Sequence, residues 1–324
     1  MKSRILGTGS YVPKRVLSNA DLEKMVATSD AWIVERTGIR ERRLAAPGEA
    51  CSDLGTHAAQ QALAEAKVQA SELDLILVAT CTGDSPLPAT ACRIQHRLGA
   101  LQAAACDISA ACCGFLYALS VADAYVKTGH RYVLVIGSEV MSTVMDWTDR
   151  KTCVLFGDGA GAVVVGRGEG GNGILSIHLH ADGHLSDLIF IPGGGSTIPA
   201  SENMLAQRLQ YMKMKGNETF KIAVKTMEDA AREALTANAL TVEEVDLFVP
   251  HQANFRILKA VAQRLGLPLD RVAINLDRFG NTSAASIPLA LDEAVRAGQV
   301  KEGSLILLAA FGAGLTWASG VIRW

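Results

Sequence analysis

CDISAACCGF, residues 106–115, carries an apolar run through two adjacent cysteines to Gly114, where the long amphipathic stretch GFLYALSVADAYVKTG (114–129) begins. A period-two or fully apolar run ending on a period-3.6 segment reads as a strand that turns directly into a helix. The same alternation extends in both directions. LDLILVAT (73–80), RYVLVIG (131–137), AGAVVVG (160–166), VDLFVP (245–250) and SLILLAAFG (304–312) are continuous apolar runs, as strands covered on both faces require. Helical patterns fall at 52–67, 114–129, 220–238, 254–266 and 283–298, between or beside them. Alternating strands and helices predict a layered α/β architecture.

The second half of the chain repeats the first. LDLILVAT, the helix RIQHRLGA, the strand LQAAACDIS, the junction at Cys112, a helix ending VKTG and the strand YVLVIG have successive counterparts. These are VDLFVPH, FRILKAVAQRLGL, RVAINLDRFG as a strand, the junction at Asn281, a helix ending VRAG and LILLAAFG. Cys112 to Gly129 is 17 residues, and so is Asn281 to Gly298; from the preceding glycines, Gly99 and Gly266, the spacings are 13 and 15. The expectation is a duplicated β/α unit, divided into halves 1–171 and 172–324, with Cys112 and Asn281 at equivalent helix entries. His251 would then follow the counterpart of strand 73–80, and the three side chains would meet at the join.

Composition narrows the function. The 324 residues are 49% hydrophobic and 20% charged, enough for a large core. Lys and Arg total 31 against 33 Asp and Glu, a formal charge of −2, so no global field recruits nucleic acid or an anionic membrane. MKSRILGTGSYVP (1–13) lacks the apolar core of a signal peptide, and no run of 18 apolar residues occurs, which points to the cytoplasm. Seven cysteines at irregular spacing read as reduced thiols, with no CxxC pair for zinc and no expected disulfide.

The junction carries candidate chemistry. A cysteine at a helix N-terminus meets unpaired N–H groups and the positive end of the macrodipole, which lower a thiol pKa. Cys112 is the expected nucleophile, while Cys113, about 100° further round the helix, is expected to pack. His251 in VPHQAN follows an apolar strand, where loops of α/β folds meet ligands. Asn281 in RFGNTSAAS reads equally well as a turn residue or a cap. Together with a thiol, the His and Asn suit acyl transfer through a thioester.

DISAACCGF, FGDGAGA, VPHQAN, GNTSAAS and FGAGLTW, with DAWIVERTGIRERR near the start, resemble in order and spacing the β-ketoacyl-acyl carrier protein synthase III family of the thiolase superfamily. The likeness runs from ILGTGSYVP to the final strand. It implies a homodimer of five-layered αβαβα subunits that condenses an acyl-CoA primer with malonyl-acyl carrier protein, with no metal and no cofactor beyond the CoA thioester substrate. Cys112 would carry the acyl group, the backbone N–H groups of Cys112 and Ala313 would form the oxyanion hole, and His251 and Asn281 would hold the malonyl enolate.

The resemblance also implies an adenine sandwich of Trp32, Arg36 and Arg150, and a pantetheine channel lined by Asn217 and Asn254. Trp32 and Arg36, four apart, are neighbours on one helix face by their own spacing. Arg256 matches a carrier-protein docking position. Lys213, Lys215, Lys221 and Lys225 cluster nearby, with Lys259, as either docking or merely solvated residues. Leu87 stands where many members carry Phe at the far end of an acyl pocket reached from the partner subunit, which implies room for longer or branched primers. IPGGGSTIPASEN (191–203) lacks a phosphate-cradle pattern, and the glycines of GTGS and FGDGAGA read as close backbone packing. HLH (178–180) places two histidines on one strand face without a third ligand. Two other readings remain open at this point: a specialised condensing or acyl-transferring enzyme of secondary metabolism, and a CoA-binding module without catalysis.

Overall fold

The structure, a computed structural model, describes residues 2–168 and 170–324. In chain order the strands are β1 (Lys2–Tyr11), β2 (Arg15–Ser18), β3 (Glu41–Leu44), β4 (Leu75–Ala79), β5 (Ala104–Ile108), β6 (Tyr132–Glu139), β7 (Gly159–Gly168), β8 (Gly173–Ala181), β9 (Ile189–Phe190), β10 (Lys213–Met214), β11 (Leu247–Pro250), β12 (Leu305–Gly312) and β13 (Thr316–Arg323). The helices are α1 (Asn19–Glu23), α2 (Asp30–Thr37), α3 (Cys51–Ala66), α4 (Thr90–Leu98), α5 (Gly114–Lys127), α6 (Glu202–Ala206), α7 (Gly216–Ala237), α8 (Phe255–Leu265), α9 (Leu276–Phe279) and α10 (Ser286–Arg296).

Two mixed sheets organise the chain, one ordered β1-β7-β6-β4-β5 and the other β11-β12-β13-β8. Their side chains alternate between separate cores, as the pleat dictates. Leu75 and Leu77 of β4, with Ile306 and Leu308 of β12, share a central core with α5 and α10. Ile76 and Val78 face the opposite way, toward α3 and α4. Leu305 and Leu307 turn to α7 and α8. The layers therefore run helices, sheet, helices, sheet, helices, the five-layered thiolase-like arrangement. No helix among the described residues is long and apolar enough to cross a membrane.

Close backbone approach explains the glycines of GTGS and FGDGAGA. A Cβ on Gly9 would stand 2.3 Å from the Ala58 carbonyl oxygen, and one on Gly161 2.6 Å from the Leu289 nitrogen, so α3 and α10 can lie directly on β1 and β7 only because no side chain intervenes.

The repeat departs from its sequence reading in two places. RVAINLDRFG is not a strand. Only an isolated bridge joins Phe248 to Val272, after which Gln252 takes over the pairing: its Nε2 donates to the Ala273 carbonyl at 3.0 Å and its Oε1 accepts from Asn275 N at 3.1 Å. A side-chain amide thus replaces the ladder, and the second sheet has four strands instead of five.

The helix entries also shift. The 3₁₀ turn Ala111–Cys113 before α5 matches the turn Ser283–Ala285 before α10, and both begin on a left-handed residue, Ala111 at φ 46° and Ser283 at φ 51°. Cys112 therefore corresponds to Ala284. Asn281 lies three residues earlier, and the equal 17-residue spacings arise because α10 is 11 residues long against 14 for α5.

Candidate active site

Despite that shift, Cys112, His251 and Asn281 line one cavity of 590 Å³. It is largely apolar, with Met141, Leu155, Phe156 and Met212 among its walls, and Phe220, Asn254 and Ile257 bring α7 and α8 to it. Each polar side chain is delivered by the end of a strand or the start of a helix.

Cys112 sits in the turn feeding α5. Its surroundings overturn the expected acidic thiol: burial pushes the pKa up to about 12, the negative charge of Glu139 adds to that rise, and hydrogen bonding from Ser283 opposes it. Removal of the thiolate from water favours the neutral thiol. Gly312 lies against it, since a Cβ there would stand 2.8 Å from the Cys112 nitrogen. That contact brings the 311–314 turn, with Ala313, beside the cysteine. Among the described residues no loop or turn carbonyl accepts from the N–H of Cys112 or Ala313. Cys113 is fully buried and its thiol donates to the Thr316 carbonyl at 3.3 Å, a packing residue as expected.

His251 follows β11 and is 1% exposed. Burial drives its pKa down to about 3, so the ring is neutral. The tautomer follows from its partner. Ser286 Oγ, in the first turn of α10, accepts from Gln252 N at 3.4 Å and stands 2.7 Å from His251 Nδ1. The hydroxyl proton has no other acceptor among the described residues, so it goes to Nδ1. Nε2 then carries the ring proton and is a donor.

Asn281 is oriented by the same logic. Its Oδ1 accepts from Ser283 N at 2.8 Å, leaving the Nδ2 amide as the free donor. The backbone is held too, Asn281 N donating to Leu155 O at 2.8 Å and its carbonyl accepting from Gly157 N at 3.1 Å. The cavity therefore combines a neutral thiol with two fixed, uncharged donors.

The remaining site residues divide. Arg36 and Arg150 each place the guanidinium carbon 5.0 Å from the centre of the Trp32 ring, so the three stack on one another. Asn254 lines the cavity but is already engaged, capping α8 through Arg256 N at 2.8 Å and donating to the Arg36 carbonyl at 3.0 Å. That bond ties the Trp32 cluster to the cavity mouth. Asn217 is exposed near the start of α7 and is not among the lining residues, where Gly216, Thr219 and Phe220 stand instead. Arg256 is exposed and lies 5.4 Å over Phe220. Lys215 pairs with Asp187 and Lys225 with Asp229. Leu87 is 84% exposed and outside its own chain's cavity. His178 and His180 both reach Glu233, at 3.4 and 2.7 Å. Among the described residues no group of three His, Cys, Asp or Glu is placed to hold a metal ion. Ser286, Ser283 and Gly312 escape sequence reading, because tertiary packing and not local pattern sets Ser286 on His251 and Gly312 on Cys112.

A cavity thiol with two neutral donors, set between the two main sheets of a thiolase-like fold, defines a thiol-dependent condensing acyltransferase. Residues 106–183 match the family described as 3-oxoacyl-[acyl-carrier-protein (ACP)] synthase III, and residues 235–324 match its C-terminal part. The β-ketoacyl-[acyl-carrier-protein] synthase III of Caldanaerobacter subterraneus subsp. tengcongensis is 56% identical over 321 residues, covering 99% of this chain and 97% of the relative. The crystal structure of 3-oxoacyl-[acyl-carrier-protein] synthase III from Aquifex aeolicus superposes with a TM-score of 0.92 at 49% identity, covering 99% of this chain and all of that one. The priming β-ketosynthase of the R1128 polyketide pathway gives 0.93 at 39% identity, over 99% and 96%. The chain belongs to the 3-oxoacyl-[acyl-carrier-protein] synthase III family, condensing enzymes of fatty acid biosynthesis.

Proposed function

We propose that the protein opens fatty acid synthesis by joining an acyl-CoA primer to malonyl-acyl carrier protein, with Cys112, His251 and Asn281 as its catalytic residues. Cys112 attacks the primer thioester. The tetrahedral oxyanion rests on the N–H groups of Cys112 and Ala313, and the thiol proton finishes on the departing CoA sulfur. Malonyl-acyl carrier protein then enters. As CO2 leaves, the thioester oxygen of the resulting enolate accepts hydrogen bonds from His251 Nε2 and Asn281 Nδ2. The enolate carbon attacks the acyl-Cys112 carbonyl, and collapse of the second oxyanion releases 3-oxoacyl-carrier protein and the Cys112 sulfur, which regains a proton.

The donor polarity of His251 and Asn281 carries this reading. Two neutral donors suit an enolate generated by decarboxylation and are poorly suited to proton abstraction, since a ring held near pKa 3 is a weak base. Trp32, Arg36 and Arg150 are suited to an adenine base and its phosphates, with Asn254 at the channel mouth, while Asn217 is exposed outside the cavity lining. Arg256 beside Phe220 is suited to an acidic carrier protein.

The working unit is a cytoplasmic homodimer with two duplicated halves per chain, divided at 171/172. Support for pairing comes from β5, an edge strand with unpaired backbone groups, and from exposed Leu87 and Leu101. A second copy seated there would carry Leu87 toward its partner's acyl pocket.

Intact-mass spectrometry after incubation with acyl-CoA tests the scheme. The wild type gains one acyl group, lost on adding malonyl-acyl carrier protein; Cys112→Ala gains none, and His251→Ala gains the group but keeps it. An adduct persisting in Cys112→Ala would defeat the assignment.

A further inference from the structure

Cys81 and Glu139 take no part in the condensation. Cys81 lies two residues beyond β4 and lines the same cavity. Its thiol donates to Glu139 Oε1 at 3.3 Å, and its N–H donates to Oε1 and Oε2 at 3.3 and 3.1 Å. Thr80 Oγ1 donates to Oε2 at 3.2 Å, and the Thr82 hydroxyl bonds that oxygen as well. Glu139 is fully buried at the end of β6, held by these neutral donors. The carboxylate thereby fixes the 80–82 turn and the direction of the Cys81 sulfur, and a proton acceptor already sits on that thiol.

Topology brings the two cysteines to the same end of the first sheet. β4 and β5 are adjacent parallel strands in register, Ala79 opposite Ile108. Neighbouring strands lie about 4.8 Å apart, so the turns leaving them start within the Cα span that a disulfide bridges. Cys81 leaves one strand and Cys112 the other. Cys81 and Cys112 line one cavity, and Ser283 lines it with them. Cys113 offers no rival, because its sulfur turns away to Thr316 and is buried in the central core.

We propose that Cys81 is a resolving thiol that closes a disulfide onto Cys112 after a hydroperoxide has oxidised the nucleophile. In the first step the Cys112 sulfur attacks the peroxide. The O–O bond breaks, sulfur takes one oxygen as sulfenic acid, and the second oxygen leaves as water with the thiol proton. In the second step the Cys81 sulfur attacks the Cys112 sulfur, the S–O bond breaks, and the Cys81 proton passes through Glu139 to the departing hydroxide. One hydroperoxide is reduced by two electrons, two thiols become one disulfide, and two waters form from hydrogen peroxide. The neutral disulfide suits an apolar cavity that opposes charge, and it keeps Cys112 off the irreversible steps to sulfinic and sulfonic acid. A dithiol restores both thiols by exchange.

The test is graded oxidation with hydrogen peroxide, quenching by alkylation, and tandem mass spectrometry, with activity read against each protein's own untreated sample. The wild type is expected to lose two hydrogen atoms, to show one link between Cys81 and Cys112, and to recover most activity with dithiothreitol. In Cys81→Ser, Cys112 is expected to gain two oxygens at the same dose and to stay inactive after dithiothreitol. Glu139→Gln is expected to prolong the sulfenic acid, trapped with dimedone, because the amide cannot take the proton. Sulfinic acid at Cys112 of the wild type without the link, or equal recovery in Cys81→Ser, would overturn the proposal. The wild-type link alone decides the matter if a variant does not fold.

Discussion

Ser286 chooses the His251 tautomer, and Ser286→Ala should separate the two half-reactions. The substitution removes one buried hydroxyl that donates 2.7 Å to Nδ1 and also accepts from Gln252 N. A buried neutral hydrogen bond contributes about 0.5–1.5 kcal/mol, and the unpaired ring nitrogen left behind costs about 1–3 kcal/mol. Without that donor, the Nδ1–H tautomer becomes competitive, and in it Nε2 presents a lone pair to the enolate oxygen instead of a proton. At about 1.4 kcal/mol per decade, the condensation rate should fall roughly tenfold. Acylation of Cys112 uses backbone donors and should stay within about twofold, the scatter expected for small packing changes. Rapid-quench measurement of acyl-enzyme formation, beside steady-state CO2 release from malonyl-acyl carrier protein, reads the two steps separately. Ser286→Thr, which keeps the hydroxyl, should recover most of the second rate. Equal losses in both steps would refute the tautomer argument, as would an unchanged condensation rate.

Asn281→Asp replaces a donor with a carboxylate facing the enolate oxygen; decarboxylation should drop by at least about 100-fold while the acyl-enzyme still forms, measured by CO2 release and intact mass. Trp32→Ala removes the ring on which Arg36 and Arg150 stack, and KM for acyl-CoA should rise about fivefold to thirtyfold, with kcat nearly unchanged in a CoA-release assay. Acid stability should follow His251. Its folded pKa, about 3, lies below the ordinary 6.5, so its contribution is complete above pH 6.5 and is lost as pH falls toward 3. The slope is about 1.4 kcal/mol per pH unit, and urea titrations across that range should show it in the wild type and not in His251→Gln.

The parts of the fold that local patterning determines were legible in the sequence. Leu75 to Ala79 and Leu305 to Phe311 read as doubly covered strands because both faces are apolar, and each face indeed enters a different core. Cys112, His251 and Asn281 stood out because each lies where a strand ends or a helix begins. Their exact correspondence did not. Counting from the helix-ending glycines aligned Cys112 with Asn281, but a three-residue difference in helix length is invisible to that count, whereas the left-handed turns at Ala111 and Ser283 reveal it. RVAINLDRFG has the composition of a strand, yet Leu276–Phe279 coil into α9 and the Gln252 side chain takes hydrogen bonds of Ala273 and Asn275. The acidity of Cys112 was misjudged for a related reason. A helix N-terminus can be read from sequence, whereas the depth of the cavity around it comes from strands and helices more than a hundred residues away.

That burial has a consequence for how the chemistry is divided. Desolvation opposes charge on both partners, raising the thiol and lowering the imidazole, so a resting thiolate–imidazolium pair is disfavoured from both sides. In the proposed scheme, acylation passes the Cys112 proton to the departing CoA sulfur, a transfer between chemically similar groups that calls on no charged imidazole. Condensation needs no base either, because loss of CO2 leaves the electron pair on carbon. What the second step does need is donors that are uncharged before the enolate forms and cannot themselves take its place as acceptors. The Ser286 bond at Nδ1 and the Ser283 bond at Oδ1 each occupy the acceptor face of a side chain and leave its donor face free. One cavity therefore suits both steps because its polar groups are neutral and fixed in polarity, and Ser283 and Ser286, on the turn that opens α10, set that polarity for Asn281 and His251 alike.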